Sequence, residues 1–214
     1  MREKFWSGNR IRSILLLALF SLVFLGTEYV FVDVAAVQAD AERTVLFQNY
    51  VLGSSVAGFL LFPLADRLIL ERFIRAERIV FFLICMGSFL MVLRSQNHQA
   101  MLTAGCILFV MLGLLGSRVY YVTATALGNA YGFGRTAGMG YALGIMLQFV
   151  NNMLIRHNDI QAAVLLAAIM ISVFLTIKIQ LRVDGNICTD GGRPVNGNLE
   201  DNDTGEVHIG QRSA

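Results

Sequence analysis

Six apolar runs, roughly 12–37, 46–66, 79–94, 101–127, 136–155 and 160–181, fill the first 182 residues of the chain. Most are about 20 residues or longer, enough to cross ~30 Å of hydrocarbon at 1.5 Å per residue. The third, RIVFFLICMGSFLMVL, is shorter but carries no internal charge. Hydrocarbon offers no partner to a backbone N–H or C=O, so a segment of this kind satisfies itself as a helix. The expected fold is an all-α integral membrane protein with six transmembrane helices. Composition points the same way. Only 15% of the residues are charged and 56% are hydrophobic, whereas a soluble domain carries about 25% charge. So few charges cannot clothe a water-exposed surface.

The first run follows a basic start, MREKFWSGNRIR, and reaches small residues near VQA, two features of a signal peptide. Its length and the interruption by Glu28 identify it instead as the first spanning helix. Lys and Arg then orient the bundle. With the N-terminus inside, Arg2, Lys4, Arg10, Arg12, Arg67, Arg72, Arg75, Arg78, Arg135, Lys178 and Arg182 fall inside, and only Arg43, Arg94 and Arg156 fall outside. Positive charge is retained on the cytoplasmic side, so both termini are expected there. The short loops, the basic inner side and the lack of disulfide logic suit a bacterial inner membrane.

Composition changes after Arg182. The remainder, VDGNICTDGGRPVNGNLEDNDTGEVHIGQRSA, is rich in Gly, Asn and Asp and has few bulky apolar residues. Such a segment cannot offset its ordering entropy by burial, and it is expected to be disordered. Two regions follow: a transmembrane domain over 1–182 and a polar cytoplasmic tail or linker over 183–214.

Polar groups at membrane depth require a reason. Glu28 and Asp33 lie in the outer half of the first helix, Glu28 the deeper. Two roles fit each: a proton- or cation-linked carboxylate facing a cavity, or a carboxylate paired within the bundle or reaching the outer interface. Arg118 lies in the fourth helix, toward the cytoplasm, as a holder of an anionic solute or as a clamp on backbone carbonyls. By depth it stands about 13 Å from Glu28 at 1.5 Å per residue. Tyr121 follows it, with Tyr120, Thr123 and Thr125 beside it, as pathway lining or bundle hydrogen bonds. In the fifth helix Gly140, Gly144 and Gln148 recur every fourth residue, and Asn151 and Asn152 continue the stripe. The glycines permit close helix packing. The amides lie at the depth of Glu28 and Asp33, so a cavity in the outer half between helices one and five would use them; interhelical hydrogen bonding is the alternative.

The three cysteines lack metal-ligand spacing, and an odd count gives no disulfide framework. No Ser-His-Asp set, P-loop or HExxH is visible, so the sequence gives no reason to expect an enzyme, a metal or a cofactor. The net charge of +2 gives no reason to expect nucleic acid.

Six helices with both ends inside, and a short charged loop between the second and third, resemble the N-terminal half of a major facilitator superfamily transporter. That family's loop signature runs Gly-x-x-x-Asp-Arg-x-Gly-Arg-Arg/Lys. Asp66-Arg67 matches its core and Arg72 and Arg75 follow, while Phe62 and Ile69 stand at the two glycine positions. Arg118 matches an Arg frequent in the family's fourth helix. Gly140 and Gly144 match a fifth-helix motif in which Ile145 replaces Pro. The resemblance implies that Asp66, Arg67 and Arg72 act as a gating loop on the cytoplasmic side. It also implies transport of a small solute. Because such transporters contain two six-helix halves, a homodimer or a partner half is expected. Two other readings remain open: the input module of a regulator with its output domain beyond the tail, and a truncated transporter.

Overall fold

The computed structural model describes residues 8–68, 74–127 and 130–190. They form six helices and, among these residues, no strand: α1 (Gly8–Gln38), α2 (Ala41–Leu68), α3 (Ile74–Arg94), α4 (His98–Leu127), α5 (Ala130–Leu154) and α6 (Asn158–Asp190). Short links at 39–40, 95–97 and 155–157 lie at one end of the bundle, here termed the upper end. Two of them supply helix caps. The Asp40 carboxylate accepts from Arg43 N at 3.4 Å, and Asn97 Oδ1 accepts from Gln99 N at 3.0 Å. Each satisfies a backbone donor that its helix cannot.

Four helices contain stretches long and apolar enough to cross a membrane: Arg10–Gln38, Ala41–Leu64, His98–Leu127 and Asn158–Ile179. α3 adds a shorter apolar stretch, Ile79–Arg94. α5 is 25 residues long, but Arg135, its glycines, Gln148, Asn151 and Asn152 dilute its apolar character. The chain is therefore a membrane-embedded helical protein.

Helix neighbours follow a regular scheme. α2 packs most extensively on α4, and α1 on α5 and α6. Exchanging α1, α2 and α3 for α4, α5 and α6 maps every substantial helix contact onto another: α1–α5 onto α4–α2, α1–α6 onto α4–α3, and α1–α2 onto α4–α5. Likewise α1–α3 maps onto α4–α6, while α1–α4 and α3–α6 map onto themselves. The two three-helix units are interleaved, with α1 and α4 at the centre.

Glycine makes this interleaving possible. In hydrocarbon, helices gain little from burying apolar surface and associate by close packing. A Cβ at Gly113 would meet Ser55 O and the Cα of Gly58, and one at Gly58 would meet Val110 O. A Cβ at Gly140 would meet Leu17 and Ile14 O, and one at Gly144 would meet Ser21 and Ala18 O. Registers follow. Val51 lies by Gly105 and Ser55 by Gly113, so α2 and α4 run parallel; Leu17 lies by Gly140 and Ser21 by Gly144, so α1 and α5 do too. Phe31 lies by Gly105 and Phe20 by Gly116, so α1 and α4 are antiparallel, and the two units are inverted. Aromatic rings fill the centre. Phe109 of α4 meets Phe24 and Phe31 edge-on at 5.6 and 6.4 Å, and Phe20 meets Tyr120 at 6.1 Å.

The helices overrun the apolar segments. α1 and α2 begin four and five residues before residues 12 and 46, and α6 continues to Asp190, eight residues into the region read as disordered. A helix already nucleated extends at low cost, and the adjacent pair Gly191-Gly192 comes only after Asp190. The expected disorder of 191–214 lies outside the described residues.

Candidate functional site

Glu28 is half-buried on α1, and Gln48 Nε2 of α2 donates a 2.7 Å hydrogen bond to its Oε1. This is a direct polar link between two helices otherwise in modest contact. A carboxylate at this depth is costly without such a partner. Arg118 is half-buried on α4. Because Phe20 meets Gly116, Arg118 stands near the level of Ala18, about 15 Å below Glu28 at 1.5 Å per residue. The two ionisable groups thus occupy separate levels. Tyr121, one turn below Arg118's level, is exposed, with its ring 6.2 Å from that of Phe62. Thr125 donates back to Tyr121 O and Val122 O, while Thr123 is fully buried.

The amides of α5 begin with Gln148, which reaches the side of α1 that carries Gly26. Gln148 and Asn151 are both buried. Gln148 Nε2 donates to Asn152 Oδ1 at 2.8 Å, while Gln148 Oε1 lies 2.7 Å from where a Cβ on Gly26 would stand. Gly26 and Glu28 are two residues apart, so they point about 200° apart around α1. Glu28 lies within about 20° of the face of α1 that carries Ser21, which packs on Gly144 of α5. Glu28 is tied to α2 through Gln48, while Gln148 Oε1 reaches the Gly26 side of α1, beside Leu165 of α6.

Asp33 is exposed near the upper end and accepts from Asn158 Nδ2 at 2.7 Å, tying α1 to the start of α6. The same end carries an exposed Arg94–Asp159 ion pair at 3.7 Å and a 2.9 Å bond from Gln38 Nε2 to Ser95 O. Asp66 and Arg67 fall in the last turn of α2, where only the backbone is described; Arg72 lies outside the described residues. Among the described residues no group of His, Cys, Asp and Glu is arranged to hold a metal.

Two polar residues that link elements carry little signal in the sequence. Gln48 reads as part of a helix start, and Gln161, whose Nε2 donates to Ile155 O at 2.6 Å, as a polar residue at the edge of IQAAVLLAAI. Each is an amide at the edge of an apolar run, and only the tertiary register shows what it meets.

No family model, curated protein or solved structure matches the chain.

Proposed function

We propose that the chain is a six-span, transporter-like unit of the bacterial inner membrane, with both termini cytoplasmic. It is built like one half of a major facilitator superfamily transporter and moves a small solute together with a second six-helix unit. The observation that carries this reading is the interleaving of two inverted three-helix units. Inverted repeats of this kind underlie alternating access, with solute and coupling-ion sites near their interface. Glu28, held by Gln48 between α1 and α2, is the coupling carboxylate, and Arg118 with Tyr121 engages the solute nearer the lower end. The Asp66-Arg67 turn closes the cytoplasmic side.

The test is flux. The full chain is reconstituted in vesicles loaded with a pH-sensitive dye and challenged with a panel of amphiphilic cations, anions and sugars. Saturable, proton-linked movement is expected for the native chain and should be lost in Glu28→Gln and Arg118→Ala. Flux that both variants leave unchanged removes these residues from the pathway.

A second reading rests on α6, which continues eleven residues past the end of its apolar stretch at Ile179. A helix that leaves the bundle intact can pass a packing change to a cytoplasmic output domain. Solute binding without flux in the same vesicles favours this sensor reading.

A further inference from the structure

Three exposed cations stand at one level near the lower end of the bundle, on three different helices: Arg12 of α1, Arg135 of α5 and Lys178 of α6. The helix registers fix that level. A Cβ on Gly140 would meet Leu17, and Arg135 and Arg12 each lie five residues below these positions on parallel helices. A Cβ on Gly26 would meet Leu165 of the descending α6. Lys178 follows Leu165 by thirteen residues, which places it level with Ser13 of α1. The same register puts Asn158 level with Asp33, and those two side chains share a 2.7 Å hydrogen bond. Asp33 stands 21 residues from Arg12 along α1. That is about 31 Å at 1.5 Å per residue, and the hydrocarbon core of a bilayer is ~30 Å thick. The two levels therefore match its two edges.

The two rims differ in charge. Among the residues whose side chains are described, the lower rim holds Arg10, Arg12, Arg135 and Lys178 and no acid. The upper rim is mixed. There Asp40 pairs with Arg43 at 3.8 Å and Asp159 with Arg94 at 3.7 Å, and Asp33 and Glu42 add two further acids. Two of the lower cations lie over aromatic rings of their own helices. Lys178 Nζ is 4.9 Å from the centroid of Phe174, and Arg135 Cζ is 5.7 Å from that of Tyr131. Both rings are themselves exposed. The charges are thus held on the outer surface of the bundle, where the aromatic faces attract them. Exposed apolar residues continue upward from each cation: Phe174 and Met170 on α6, and Met139 and Met146 on α5.

We propose that the lower rim is a binding surface for anionic phospholipid, with Arg12, Arg135 and Lys178 as its contact charges. A phosphate at their level is met by positive charge alone, and its acyl chains run upward along the apolar residues of α5 and α6. A zwitterionic headgroup brings its own cation beside the phosphate and gains little from the rim. An anionic headgroup gains from each basic residue near the membrane surface. The mixed upper rim offers no such preference. The inference needs only that the chain is embedded in a membrane. It is independent of the transport reading and uses neither Glu28 nor Arg118.

The experiment is native mass spectrometry of the full chain released from vesicles of equal phosphatidylglycerol and phosphatidylcholine. The native chain should retain phosphatidylglycerol in preference. Arg12→Gln, Arg135→Gln and Lys178→Gln should each lower that preference about fivefold, the scale of one basic residue at a membrane surface. Arg43→Gln and Arg156→Gln, at the upper rim, should leave it unchanged. Equal retention of the two lipids by the native chain, or equal losses at both rims, overturns the proposal. Thermal unfolding gives a second readout. Added phosphatidylglycerol should raise the Tm of the native chain, and the rise should be lost in the triple lower-rim variant. A rise that survives in that variant, or one that inorganic phosphate alone reproduces, also overturns it.

Discussion

A polar side chain in this bundle matters according to what faces it, and Glu28 shows how to separate structure from chemistry. The Gln48 amide needs only an acceptor at this position, and glutamine supplies one. Glu28→Gln should therefore leave unfolding free energy within about 0.5 kcal/mol of native, while Gln48→Leu should cost about 1 kcal/mol, the scale of interhelical hydrogen bonds in membranes. Unfolding in mixed micelles with rising detergent denaturant measures both. A large loss in Glu28→Gln would mean that the charge itself holds α1 to α2. The upper-end ion pair behaves oppositely. Arg94 and Asp159 are mostly exposed at 3.7 Å, so Asp159→Asn should change stability by no more than about 0.5 kcal/mol. Residue identity shows that Glu28 and Gln148 lie at comparable depth. It does not show that Glu28 meets Gln48 of α2, because depth follows from counting along each helix whereas facing follows from which helices touch.

Helix contacts here are decided by small residues, and not all glycines serve alike. A Cβ on Gly113 would press on the backbone of α2, which cannot give way without moving the helix. Gly113→Ala should destabilise the bundle by about 1–3 kcal/mol, the usual cost of overpacking. Gly138 in α5 has nothing within 4 Å of its would-be Cβ. Gly138→Ala should be neutral or stabilising by up to about 1 kcal/mol, through helix propensity alone. Parallel unfolding measurements compare the pair, and equal losses would show that α5 is held by more than the contacts seen here. The helices themselves are legible in the sequence because charged or polar residues bound the apolar runs, as Arg43 and Asp66 bound the second. Their true ends are less so. Asp40 and Asn97 cap helices outside the apolar runs, and α6 persists to Asp190 through residues that favour loops. The spacing of Gly140 and Gly144 marks a close-packing face, but it does not name α1 as the partner.

At the scale of the whole molecule, the order of the helices in space departs from their order in the chain. Hydropathy marks the helical segments, but the pairing of α1 with α5 and of α2 with α4 is a property of surfaces that become neighbours only in the assembled bundle. The interleaving has a consequence for biogenesis. The ribosome releases α1, α2 and α3 first, yet α1 and α2 find their most extensive partners in α5 and α4. The early hairpin must wait in the membrane, with Gly58 and the α1 surface that receives Gly140 turned to lipid or to an insertion chaperone. A chain divided within 95–97 should thus yield two pieces that are each degraded when made alone. Made together, they should copurify on a single affinity tag and unfold in one cooperative transition. Recovery of the first piece by itself as a stable folded species would show that α1–α3 need no such companion. The native chain, on this account, is completed in the membrane only when its last helices emerge.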